Sequence, residues 1–362
     1  MFTSMSGATG KADSAYGIEQ GSVEAASSSI LRLRSRQARP AAGATAFVFS
    51  GGGARGALHV GALRALLEAG IHPDMLVGAS IGAWNAAWLA QSPTLEGVEA
   101  LAEIWQNLQA GQILLGQRRS IWSCATALRG LLMLAALRRI AGGCSSLYSD
   151  TGLRQILSQR FADLAFEDMA LPLSVIATNL SHGGRAVFKR GTLVDALLAS
   201  SAIPGIFPPV SINGALYADG GIVDGCSVET AIDMGARRIF VLAIGYDAEA
   251  GDGAAWVHAG EQALPAGRGM PRHSAPSVIQ RASQVMGNYQ IQRALERTPS
   301  GVEAHLISLS SGVGGGTLSF GNVAELIERA YQSTRGYLAT TYATTTASAR
   351  PLSDALESAR SA

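Results

Sequence analysis

"AFVFSGGGARGALHVGALRALLEAGIHPDMLVGASIGAWNAAWLAQ", residues 46–91, sets two apolar runs against two helical stretches, with glycines at each junction. "AFVF" (46–49) is short and wholly apolar, the pattern of a buried strand. After "SGGGARG", Leu58, Leu63, Leu66 and Leu67 recur at helical spacing until Gly70 ends the helix. "DMLVG" (74–78) reads as the next strand and "SIGAWNAAWLAQ" (80–91) as the next helix. Strand, helix, strand, helix with tight glycine turns specifies α/β, a parallel sheet with helices on its faces.

Outward from this block the alternation continues. "LPLSVIATNL" (171–180) is a buried strand and "RAVFKR" (185–190) a more exposed one. "LVDALLASSAIPGIFPP" (193–209) is a helix stopped by Pro204, and "ALYADGG" (215–221) a strand running into a glycine turn. "RRIFVLAIG" (237–245) and "EAHLISLS" (303–310) complete the strands, with helices over 95–109, 275–297 and 321–342 and a Gly- and Pro-rich loop over 246–276. One α/β domain over 44–345 is expected. It is preceded by a Ser-, Ala- and Gly-rich leader (1–43), read as disordered, and followed by a polar tail (346–362). The leader has no apolar run of signal-peptide length after an N-terminal positive charge.

Composition narrows the class. With 48% hydrophobic and only 15% charged residues, the chain has ample material for a buried core. A net charge of +1 supplies no field to recruit nucleic acid. Cys124, Cys144 and Cys226 are too few and too scattered for a disulfide framework or a zinc site, which points to a reducing, cytoplasmic compartment.

Gly51, Gly53 and Gly56 satisfy G-x-G-x-x-G, but dinucleotide binding also calls for an acidic residue at the end of the second strand. That strand ends in "VGAS", and Asp74 sits at its other end. No Gly-Lys-Ser/Thr follows either, so a P-loop is absent. What the loop does supply is unpaired backbone N–H groups at the positive end of a helix, a suitable seat for a developing oxyanion. Gly78-Ala79-Ser80-Ile81-Gly82 is G-x-S-x-G on a strand-to-helix turn, the setting of a nucleophile elbow; the alternative is Ser80 as an ordinary helix cap. A base is harder to find. His258, His273 and His305 lie late in the chain without a surrounding motif, and His59 falls on the first helix. Asp219, at a strand end with Gly220 and Gly221 behind it, is a carboxylate that could take the serine proton directly.

Glycine loop, serine elbow and Asp-Gly-Gly together resemble the patatin-like acyl hydrolase family, over roughly residues 46–245. "SSAIPGIFPPV" (200–210) also looks like that family's link into its last catalytic strand. The resemblance implies a three-layer α/β/α fold around a central, mostly parallel sheet. It implies an oxyanion hole on Gly51, Gly52, Gly53, Arg55 and Gly56, with Ser80 as nucleophile and Asp219 as base. Gly78, Gly82, Gly220 and Gly221 would shape the turns. The activity implied is hydrolysis of fatty-acyl esters of lipids through an acyl-enzyme, by a phospholipase, lysophospholipase or esterase needing no metal or cofactor. Plant-type members carry an aspartate before the triple glycine; Ser50 here looks more like the bacterial and neuropathy-esterase-like branch. A conventional Ser-His-Asp esterase and an inactive lipid-binding scaffold are the competing readings.

Arg55, at a helix start, opposes the helix dipole, which points to a role in positioning the loop or in meeting a phosphate headgroup. Residues 113–143 are apolar but studded with arginine; Arg129 at the centre of the run argues against a membrane span. They read as a core helix or as a mobile cover over Ser80 that makes peripheral membrane contact.

Overall fold

The computed structural model describes residues 18–19, 43–115, 145–246, 275–309 and 322–342. In chain order its elements begin with strand β1 (Ile18–Glu19), strand β2 (Thr45–Phe49), a 3-10 turn (Gly53–Gly56) and helix α1 (Ala57–Glu68). Strand β3 (Met75–Ala79), helix α2 (Ile81–Gln91), helix α3 (Leu95–Asn107) and the short helix α4 (Ala110–Leu115) follow. Beyond residue 145 come α5 (Thr151–Phe161), β4 (Leu173–Asn179), β5 (Arg185–Phe188), α6 (Leu193–Ser200), β6 (Val210–Ile212) and β7 (Ala215–Asp219). The chain continues through α7 (Val228–Asp233), β8 (Arg238–Ile244), α8 (Ala275–Glu296), β9 (Glu303–Leu309) and α9 (Val323–Tyr337).

The strands form one sheet in which five neighbours, in the order β4-β3-β2-β8-β9 with β9 at the edge, are parallel. β5, β1 and the β6–β7 hairpin add antiparallel strands beside β4. Side chains alternate across the strands and so build two cores. Phe47, Phe49, Leu76, Val175 and Leu242 face α1, α2, α3, α6 and α9. Ala46, Val48, Val77, Ile176 and Val241 face α7 and, through Ile291, α8. The result is an α/β protein with helices on both faces of a central, mostly parallel sheet.

Three expectations need correction. β5 is not an exposed strand: Ala186 and Phe188 are buried, because β5 pairs with β4 and Phe188 meets the ring of Tyr217 edge-on at 5.1 Å. The helix from residue 193 ends at Ser200 rather than at Pro204, and Ala202 turns its carbonyl to the N–H of Asp219 (3.0 Å). Val210, read as the end of a link, instead opens a strand, Val210–Ile212. "NG" at 213–214 makes the two-residue turn, with both residues at positive φ (50° and 80°), the geometry that this dipeptide favours.

The helices α5 and α7 are not among the elements expected from the sequence, although α5 carries Leu153, Ile156, Leu157 and Phe161 at helical spacing. The expected cover lies outside the described residues from 116 to 144, as do His258, His273, most of the leader and the polar tail. Among the described residues no helix is long and apolar enough to cross a membrane.

Candidate active site

The register of the sheet brings the two motif side chains together. β3 runs parallel to β4 and ends with Ala79 opposite Ile176. β7 runs antiparallel along the same edge of β4 and ends with Asp219 opposite Ala177, the next residue. Two strand ends therefore meet head to head across one step of β4, and Ser80 follows immediately. The Ser80 Oγ–H donates to Asp219 Oδ2 at 2.6 Å, across 139 residues of sequence.

Ser80 holds φ 54° and ψ −129°, a region that costs a non-glycine residue about 1–3 kcal/mol and is found mainly at functional sites. It stands at the N-cap of α2, yet its side chain makes no cap hydrogen bond. The hydroxyl therefore faces the carboxylate and leaves the helix uncapped. The turn is tight enough to require its glycines. A Cβ on Gly82 would lie 2.5 Å from the carbonyl oxygen of Phe49, and one on Gly78 would lie 2.6 Å from that of Gly82.

Ser200, at the end of α6, was not singled out in the sequence. Its Oγ accepts the N–H of Ser80 (2.8 Å) and donates to the carbonyl of Ile176 (2.6 Å), tying the elbow to β4. Nothing in "LLASSAIPG" marks one serine above its neighbour; only the sheet register does.

Asp219 is buried, and burial raises its carboxyl from the ordinary 3.8 to about 6. The Ser80 hydroxyl and the Gly221 N–H, which donates to Oδ1 at 2.8 Å, hold it from rising further. Gly220 lies so close to β4 that a Cβ there would be 2.3 Å from the Ile176 oxygen. A carboxyl near 6 is a far better proton acceptor at neutral pH than an ordinary aspartate.

The glycine loop leaves β2 beside this pair. Ser50 anchors it by donating from Oγ to the carbonyl of Gly51 (3.1 Å) and accepting the N–H of Ile244 (2.8 Å). The Gly51 N–H donates to the carbonyl of Gly225 at 3.2 Å, so it is not available to a ligand as the sequence had suggested. Among the described residues the N–H groups of Gly52 and Gly53 have no such partner. Gly53 sits at φ 59°, in the left-handed region, and a Cβ on Gly52 would meet Ile244 at 2.8 Å. Arg55 bends back, its Nε–H donating to the carbonyl of Gly52 (3.4 Å), while burial lowers the pKa of its guanidinium. Gly56 closes the loop against Ile81 and Trp105.

The two described candidate histidines are occupied elsewhere. His59 is fully buried, with Nε2 toward the carbonyl of Leu242 (3.3 Å) and Nδ1 toward the Asn85 amide (3.1 Å). Asn85 also takes the indole N–H of Trp105 on its oxygen and donates to Gly56, so His59 belongs to a bracket behind the loop. Burial pulls its pKa down to about 3, so the ring is neutral. His305 stacks on Phe240 (4.8 Å between centroids) and meets Tyr337 and Glu303.

Comparison with known proteins gives a family for the chain. The family model described as patatin-like phospholipase matches residues 47–232, just over half of the chain. Patatin-like phospholipase domain-containing protein 7 of Rattus norvegicus is 30% identical over 214 residues, covering 58% of this chain and 14% of the rat protein. Neuropathy target esterase sws of Drosophila melanogaster is 27% identical over 200 residues, covering 55% of this chain and 13% of its own. The chain thus matches about a seventh of the length of these curated relatives. Among solved structures, VipD from Legionella pneumophila overlaps with a TM-score of 0.41 at 15% identity, covering 83% of this chain and 67% of that one. With its family model spanning both the Ser80 elbow and the Asp219 turn, the chain belongs to the patatin-like phospholipase family.

Proposed function

We propose that the protein is a serine acyl hydrolase that cleaves fatty-acyl esters of lipids through a Ser80–Asp219 dyad. The observation that carries this reading is the 2.6 Å hydrogen bond from the hydroxyl of a strained elbow serine to a buried carboxylate. The family membership and the printed names of the relatives, phospholipases and an esterase, support the substrate class.

In this mechanism Ser80 Oγ attacks the ester carbonyl carbon as its proton passes to Asp219 Oδ2. The carbonyl oxygen becomes an oxyanion, held by the N–H groups of Gly52 and Gly53. Collapse breaks the bond to the leaving alcohol, which takes the proton from Asp219 and leaves an acyl-enzyme. Water then gives a proton to the same carboxylate and attacks the acyl carbon. A second collapse releases the fatty acid and returns the proton to Ser80. Gly221 keeps Oδ1 engaged, so Oδ2 alone faces the serine.

The test uses purified protein with a p-nitrophenyl ester, a lysophospholipid and a monoacylglycerol, without added metal or cofactor. Hydrolysis that disappears in Ser80→Ala is expected, with a fluorophosphonate adduct mapped to Ser80 by mass spectrometry. A folded protein that neither labels nor cleaves any of these esters would make the chain a lipid-binding scaffold. Cleavage surviving in Ser80→Ala would move the nucleophile elsewhere.

A further inference from the structure

Helix α8 lies beyond residues 47–232, the stretch shared with the family model, yet one of its side chains reaches the turn behind Asp219. Gln290 Oε1 accepts the N–H of Gly225 at 2.8 Å, and its Nε2 donates to the carbonyls of Gly221 (3.2 Å) and Ile222 (3.1 Å). One amide group thus spans both ends of the 221–225 turn. The same turn makes two hydrogen bonds inward. Gly221 N–H holds Asp219 Oδ1, and the Gly225 carbonyl holds the N–H of Gly51 at the head of the glycine loop. Gln290 therefore stands one backbone unit from the carboxylate and one from the loop.

We propose that Gln290 is a positioning residue, which fixes the Asp219 carboxylate and the glycine loop relative to each other through the Gly221–Gly225 turn. The chemistry of the contact selects glutamine. An N–H needs an acceptor at one end of the side chain, and two carbonyls need a donor at the other. Glutamate would set an oxygen against both carbonyls, and an apolar side chain would leave all three groups unpaired. The helix itself is anchored independently of these bonds, by Ile291 buried in the core on that face of the sheet. The turn has a second tie as well: Asp224 accepts from Arg185 (2.9 Å) and from Ser227 (2.5 Å). Loss of the Gln290 bonds should therefore loosen the turn without unfolding it.

The inference rests on the Ser80–Asp219 reading, and the control separates the two. Wild type and Ser80→Ala are assayed first on a short soluble ester. An inert wild type or an active Ser80→Ala refutes that reading, and this proposal with it, before any Gln290 variant is considered. Given an active wild type, Gln290→Met and Gln290→Glu are measured, with turnover expressed per serine titrated by a fluorophosphonate. Displacing catalytic groups by a fraction of an ångström to an ångström costs up to about 100-fold. The expected result is a fall in kcat of about 10- to 100-fold in both variants, with KM for the short ester unchanged. A fall of at least threefold in kcat alone supports the proposal. Turnover within threefold of wild type, an effect confined to KM, or failure of both variants to fold assigns Gln290 a structural role only and overturns it.

Discussion

Replacing Asp219 by asparagine should make the protein more stable while it removes activity, and the two effects have separate pH dependences. Burial lifts the Asp219 carboxyl from 3.8 to about 6, so the folded state binds its proton more tightly than the unfolded chain does. The associated stability is fully present below about pH 3.8 and is lost as the pH rises through 6. At about 1.36 kcal/mol per pH unit, the loss at pH 8 amounts to about 3 kcal/mol. Asparagine carries no charge to desolvate. Its oxygen can accept the Gly221 N–H as Asp219 Oδ1 does, and its amide can donate to Ser80 Oγ. Urea unfolding of the two proteins should accordingly show a gain of up to about 3 kcal/mol for Asp219→Asn at pH 8 and roughly half of that at pH 5. Turnover should fall by roughly 10⁴, as when a base is lost from a nucleophile–base unit. An asparagine variant no more stable than wild type at pH 8, or equally stabilised at both pH values, would refute the claim that the site stores the cost of a buried charge.

In wild type, kcat/KM on a soluble ester should hold above pH 6 and decline as the pH falls through about 6, since the base must be ionised; a profile flat down to pH 4.5 would remove Asp219 from that role. Ser80→Gly should be inactive but more stable than Ser80→Ala by about 1 kcal/mol or more, because glycine relieves the φ of 54°; equal unfolding midpoints would deny the strain. Gly52→Ala, whose methyl meets Ile244, should lower turnover about 10²–10³-fold by displacing an oxyanion donor, and full activity in the folded variant would reassign the donors. His305→Gln should keep turnover within about tenfold of wild type, since its ring packs on Phe240 and not on Ser80; a loss as deep as that of Ser80→Ala would restore a triad.

What could be read from the sequence was whatever depends on local pattern. "AFVF" and "MLVGA" are wholly apolar because β2 and β3 are covered on both faces, and the unbroken apolar run reports that directly. The elbow glycines were visible because neighbouring backbone leaves no room for a Cβ, and Gly52 and Gly56 of the loop because the side chains of Ile244, Ile81 and Trp105 press on them. The hairpin at Asn213-Gly214 is equally legible in its dipeptide, which favours positive φ at both residues. Ser200 and Gln290 are different in kind. Each matters through partners 24 to 120 residues away, and neither has a neighbour in sequence that marks it. The engagement of Gly51 by Gly225 was hidden for the same reason: which amide of a glycine run is free depends on what the fold brings to it.

The meeting of β3 and β7 on one edge of β4 makes that strand a ruler. Ala79 and Asp219 take their places from Ile176 and Ala177, so their offset along β4 is one strand step, a rise of about 3.3 Å, whatever length of chain connects them. Connections within residues 92–172 and 180–214 can lengthen or shorten without altering the spacing of serine and carboxylate, provided the register of β4 and the ties made by Ser200 and Ala202 are kept. Selection for a new headgroup or acyl chain can then act on those connections while the reacting pair stays fixed. The one change that such a scaffold tolerates poorly is a single-residue insertion or deletion within β4, which would move one partner by a full step and turn the strand's side chains to the opposite core.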